Sequence, residues 1–142
     1  MPPNILIVRF SSIGDLLLTT PLLRAIKTRH PESRITFVVR DDMAETLRHN
    51  PRIDELVRWQ RGSPLGELAR DLRDEPWTHR LDLHRSLRSW RLRWMIGGRW
   101  TTYPKHRIRR KLLIMSHGKR GGTLGPVAER YFGAASGLDV TP

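Results

Sequence analysis

Two short runs, "ILIV" at 5–8 and "RITFVV" at 34–39, set the pattern of the chain. Unbroken apolar runs rich in β-branched residues predict strands covered on both faces. Between them, from Gly14 or Asp15 to about His30, the spacing turns helical, with Leu16, Leu22, Leu23 and Ile26 available to cover a sheet. Pro21 either kinks one long helix or takes the first helical position after a Thr20 cap. Asp41 or Asp42 is placed to cap a short helix through about His49. A third strand is predicted at 53–57 and a polar helix at 64–74. "WTHRLDLH", 77–84, reads as a fourth strand with Leu81 and Leu83 on one face. A helix over 86–96, a short fifth strand "WTTY" at 100–103 and helices at 109–116 and 124–136 follow, the first of these last two also readable as a strand. This alternation predicts an α/β fold, a Rossmann-like open parallel sheet covered by helices, in one domain spanning 1–142.

Composition narrows the function. The 142 residues contain no cysteine, which excludes disulfides and thiolate metal sites, and no apolar run approaches the roughly 18 residues a membrane span needs. No basic leader precedes the first strand, so a cytoplasmic protein is expected. The formal charge is +12, and 85–122 holds twelve Lys and Arg with no Asp or Glu, while the rest of the chain balances. Such a block implies an anionic partner: nucleic acid, a phosphorylated small molecule or an acidic lipid surface. Trp90, Trp94, Trp100 and Tyr103 within it argue for order. Trp90 and Trp94 stand four apart on one helix with Leu87, so core packing is expected of them, with anchoring at a membrane interface as a second role. Nucleic-acid binding is the rival reading, but no helix-turn-helix, zinc-finger or RNA-recognition signature accompanies the charge.

The first turn carries the candidate chemistry. "VRFSSIGDLLLTTP", 8–21, places Ser11, Ser12, Gly14 and Asp15 just after strand one, where open parallel sheets collect ligands. There is no G-x-G-x-x-G for a dinucleotide. A carboxylate near a helix N-terminus stays ionised, repels phosphate, and can take a proton from a nucleophilic hydroxyl within reach. Alternatively Asp15 only caps the helix, with Ser11 and Ser12 closing the turn. Asp82 and His84, ending strand four, form either a supporting hydrogen-bonded pair or an ordinary loop anchor. His79, His106 and His117 are scattered without ligand spacing, so no metal site is expected.

"ILIVRFSSIGDLLLTTPLLRAIKTRHP", "ITFVVRDDMAETLRHNPRIDELV" and "LDLHRSLRS" closely resemble the amino-terminal domain of the bacterial lipopolysaccharide heptosyltransferases, ADP-heptose-dependent glycosyltransferases of the GT-B fold. The resemblance runs from Ile5 to about Leu138, and the S-S-x-G-D turn with its following T-x-P is the most specific part. It implies one half of a two-domain enzyme, with this chain as the acceptor side and the second, donor-binding domain outside it. The implied reaction is inverting transfer of heptose from ADP-heptose to the lipopolysaccharide inner core. By resemblance Asp15 is the general base, Ser11, Ser12 and Gly14 shape the loop around it, and Arg109 and Arg110 match a basic position that contacts the acceptor; Arg85 and Arg88, just after the carboxyl end of strand four, are placed to bind it at the same edge. No cofactor is implied beyond the ADP-heptose substrate.

The implied partners are an anionic glycolipid of the Kdo-lipid A type, the second glycosyltransferase domain and the inner-membrane surface, with no nucleic acid. The chain alone is expected to be inactive or weakly active, and a non-catalytic glycolipid-binding module is the alternative. One departure stands out: many relatives carry a histidine before the V-x-E-R-Y helix, where this chain has Gly125 and Pro126.

Overall fold

The computed structural model describes residues 2–103 and 126–140. Four strands, β1 (Asn4–Val8), β2 (Arg34–Arg40), β3 (Glu55–Trp59) and β4 (His79–Asp82), form one sheet in the order β3-β2-β1-β4. Every pairing is parallel, with Ile7 opposite Phe37 on one side and Leu81 on the other. The helices are α1 (Ile13–Leu17), α2 (Thr20–Arg29), α3 (Leu65–Arg73), α4 (Leu87–Ile96) and α5 (Pro126–Ala134), with short 3-10 turns at Asp41–Thr46 and Ser136–Leu138.

The two faces of β1 explain the two-sided core. Ile5 and Ile7 point into a cluster with Leu16, Leu22, Leu23 and Ile26, and with Tyr131 and Phe132 of α5. Leu6 and Val8 point the other way, onto Leu68, Leu72, Leu92 and Ile96 of α3 and α4. Alternation along a strand buried on both sides demands this arrangement, and the apolar run at 5–8 satisfies it.

Several expected boundaries are corrected. Of the two readings open at Pro21, the structure has the break: the cap is Thr19 and not Thr20, the Thr19 hydroxyl donates to the Leu16 carbonyl (2.6 Å), and Pro21 occupies the first turn of α2, where a missing N–H costs nothing. The cap of the turn after β2 is Arg40, not Asp41 or Asp42; Asp42 instead pairs with the Arg40 guanidinium. The third strand runs two residues later than expected. The fifth strand shrinks to a single parallel bridge between Thr101 and Leu81, and the Thr101 hydroxyl donates to the Ala134 carbonyl of α5. The expected helix at 109–116 lies outside the described residues.

Candidate functional site

In a doubly wound sheet the connections after β1 and after β4 leave toward opposite faces, which opens a crevice at the carboxyl ends of those two strands. Asp15 stands at this crevice. Its Oδ2 accepts from the Ser12 hydroxyl at 2.8 Å and pairs with the Arg9 guanidinium at 2.7 Å. Partial burial pushes the carboxyl up, but the Ser12 hydrogen bond and the Arg9 charge outweigh it and hold Asp15 below the usual carboxylate range. The side chain keeps 36% of its surface exposed, whereas that of Arg9 keeps 12%. A charged carboxylate is thus held in one orientation and remains reachable from solvent. Ser12 makes no side-chain cap to the helix backbone, so its hydroxyl serves the carboxylate instead. Ser11 is half-buried beside it. Gly14 faces open space: a Cβ there would meet nothing within 4 Å.

Arg9 also braces the far wall. Its second guanidinium nitrogen donates to the Leu83 carbonyl at 2.9 Å, binding the turn after β1 to the end of β4. His84 follows, edge-on to Phe10 at 5.3 Å between ring centroids. Burial first, then the Arg9 charge, drives His84 down to about 4, against the opposing pull of Asp82, so the imidazole is neutral near pH 7. Its Nδ1 is buried without a partner. In the core beneath, on α5, burial pushes the Tyr131 hydroxyl up to about 12.

Asp82 settles the alternatives left open for strand four. It is fully buried and accepts from the backbone N–H groups of His84 and Arg85 (3.0 Å each), from the Ser89 hydroxyl (2.9 Å) and from Arg93 (3.3 Å). It anchors the loop, and its bond to His84 goes to the backbone, not the ring. The loop turns sharply at Arg85, whose φ of 53° is left-handed. Ser86 and Ser89 then close a reciprocal capping box that starts α4.

Of the four arginines expected at the acceptor edge, two are described. Arg85 donates to the Tyr103 carbonyl at 2.6 Å and lies over that ring, while Arg88 is exposed and stacks over Trp59 at 4.9 Å. Arg88 and Arg91 border an open groove of about 420 Å³ with Trp59, Ser63, Pro64 and Leu65. Arg109, Arg110, His106, His117 and Gly125 lie outside the described residues.

The core role expected for Trp90 and Trp94 is corrected: both are exposed, because Ser89, Leu92 and Ile96 occupy the inner face of α4. Arg9 was missed in the sequence. A cation directly after a buried strand and six positions before the acid was the available signal. Among the described residues no cluster of three His, Asp or Glu side chains is placed to hold a metal ion, and no helix is long and apolar enough to cross a membrane.

Strand order and crevice define a Rossmann-like open parallel sheet covered by helices. No protein-family model and no curated protein matches the chain. Solved structures do. The glycosyl transferase family 9 protein of Veillonella parvula DSM 2008 superposes with a TM-score of 0.73 at 25% identity, over 98% of this chain and 42% of its own. The E. coli ADP-heptose lipopolysaccharide heptosyltransferase II gives 0.67 at 22% identity over 93% of this chain and 40% of its own. The E. coli heptosyltransferase WaaC, solved with ADP, gives 0.73 at 18% identity over 97% of this chain and 48% of its own. The chain therefore spans less than half the length of each. These likenesses show that the chain shares its fold with one Rossmann-like half of these glycosyltransferases.

Proposed function

We propose that this chain is the acceptor-side domain of an inverting heptosyltransferase that builds the lipopolysaccharide core, with Asp15 as general base. The supporting observation is the carboxylate itself, kept ionised by Ser12 and Arg9 and partly exposed at the sheet's ligand edge. In the proposed reaction an acceptor hydroxyl oxygen attacks the anomeric carbon of ADP-heptose. The new C–O bond forms as the bond to the diphosphate breaks, ADP departs with the electron pair, and the hydroxyl proton passes to Asp15. A carboxylate of low basicity takes that proton late, once the oxygen is partly bonded to carbon. Direct displacement inverts the anomeric centre and needs one base and no covalent sugar intermediate.

Arg85 and Arg88, with Arg109 and Arg110, are assigned to the acceptor's carboxylates and phosphates, since guanidinium forks match such groups in pairs of hydrogen bonds. Ser11 and Gly14 complete the loop around the base. The donor is assigned mainly to a second domain, and the reaction so written requires no cofactor beyond the nucleotide sugar. A Kdo-lipid A type acceptor would place the enzyme at the cytoplasmic face of the inner membrane. The alternative is an acceptor-binding module without transferase activity.

The test is a transfer assay on the full-length protein with Kdo-lipid A acceptors and a panel of nucleotide sugars. Transfer from ADP-heptose, lost by a factor of about 10²–10⁴ in Asp15→Ala with donor binding unchanged, supports the reading. An unchanged rate in that variant overturns the base. Acceptor binding with no transfer from any donor selects the module.

A further inference from the structure

Helix α4 is apolar on two opposite faces. Leu92 and Ile96 are buried against the sheet, yet Leu87, Trp90 and Trp94 are 73%, 55% and 78% exposed. At 3.6 residues per turn these three fall within an arc of about 60°, directly opposite Leu92. A helix apolar on both sides is ordinarily covered on both. Here the outer stripe carries two indoles and a leucyl side chain facing water, the kind of contiguous patch that marks an interaction surface.

The charge around the stripe selects its occupant. Arg88 and Arg91 flank one side and Arg93 the other, and 85–96 contains no acidic residue. Arg93 is tied to Asp82, but among the described residues neither Arg88 nor Arg91 has a carboxylate partner. A second copy of the chain would set arginines against arginines. An anionic lipid surface meets both needs, since tryptophan side chains settle at the headgroup boundary while guanidinium groups pair with phosphates. At its carboxyl end the stripe opens on a shallow cleft of about 190 Å³ between Trp90, Arg93, Trp94, Gly98 and Trp100, a recess of headgroup scale.

We infer that the outer face of α4 docks the protein on an anionic phospholipid bilayer, inserting Leu87, Trp90 and Trp94 at the headgroup boundary with Arg91 beside them. The inference rests on this face alone and stands whether or not Asp15 is a base.

The test is co-sedimentation of the full-length protein with vesicles of phosphatidylcholine and with vesicles of mixed phosphatidylcholine and phosphatidylglycerol, without donor or acceptor. The wild type is expected to bind the mixed vesicles preferentially, with a blue shift of tryptophan emission and quenching by lipids brominated near the headgroup. Trp90→Ser with Trp94→Ser should weaken partitioning by about tenfold or more while circular dichroism and melting stay those of the wild type. Arg91→Glu should weaken binding to the mixed vesicles and leave the weak binding to neutral ones unchanged. Equal partitioning of wild type and the double tryptophan variant overturns the inference. So does a concentration-dependent dimer that the same variant abolishes, which would assign the stripe to a second copy.

Discussion

Arg9 and Asp15 meet at 2.7 Å across the turn that joins β1 to α1, and the same guanidinium reaches the Leu83 carbonyl at the end of β4. One side chain therefore holds the carboxylate and ties the two strands that border the crevice. Arg9→Met is expected to move the acidic limb of the kcat/KM pH profile to higher pH, because removing a neighbouring cation raises a carboxyl pKa. The rate near pH 7 should fall about 10–100-fold through lost orientation. Arg9→Lys should restore the position of the limb more fully than the rate. A profile unmoved in Arg9→Met would mean that the charge does not govern the base.

His84 offers a test by stability. Its folded pKa, about 4, lies below the ordinary 6.5, so between these values the unfolded chain binds a proton that the folded one does not. Stability is then full above the unfolded value and declines as pH falls from about 6.5 toward 4, by at most about 1.4 kcal/mol per pH unit for one group. His84→Gln should flatten this slope in urea titrations at pH 7 and pH 5. An identical slope would place the pH dependence elsewhere.

Asp82 carries four hydrogen bonds in a fully buried position. Asp82→Ala leaves two N–H groups, a hydroxyl and Arg93 without their acceptor and should cost about 3 kcal/mol of unfolding free energy. Denaturant midpoints would show it, and Asp82→Asn should recover part of the loss. A cost near zero would mean that the loop after β4 is held by Arg9 instead.

Gly14 has room for a side chain and no special backbone angle, so the fold does not require glycine there. Gly14→Ala should melt at or slightly above the wild-type temperature, alanine being the better helix former. It should nonetheless raise the KM for acceptor if the sugar passes over the turn. Unchanged acceptor kinetics would move the acceptor path away from α1.

Much of this architecture was legible in the chain. The apolar runs at 5–8 and 34–39 named the inner strands because a strand covered on both faces has no room for polar alternation. The break before Pro21 was visible as an ambiguity, and hydrogen bonding of Thr19 and Thr20 to the preceding turn decided it. The placement of Asp15 at the ligand edge followed from strand and helix patterns alone. The outer face of α4 did not. Leu87, Trp90 and Trp94 share a helical stripe, as do Ser89, Leu92 and Ile96, and periodicity ranks neither stripe as inner. Tertiary packing chose the smaller residues, which let α4 lie close to the sheet. Arg9 was hidden for another reason: its position six residues before the acid was visible, but the pairing depends on the path of the turn between them.

β1 lies between β2 and β4, and its ladder continues past Val8 through the Arg9 N–H to the Val38 carbonyl and the Arg40 N–H to the Phe10 carbonyl. The carboxylate of the next turn thereby follows directly on a strand paired along both edges. On the proposed reading, delivery would then fall to the incoming sugar and to the arginine side chains at the rim, so that capture and proton removal would be divided between edge and centre.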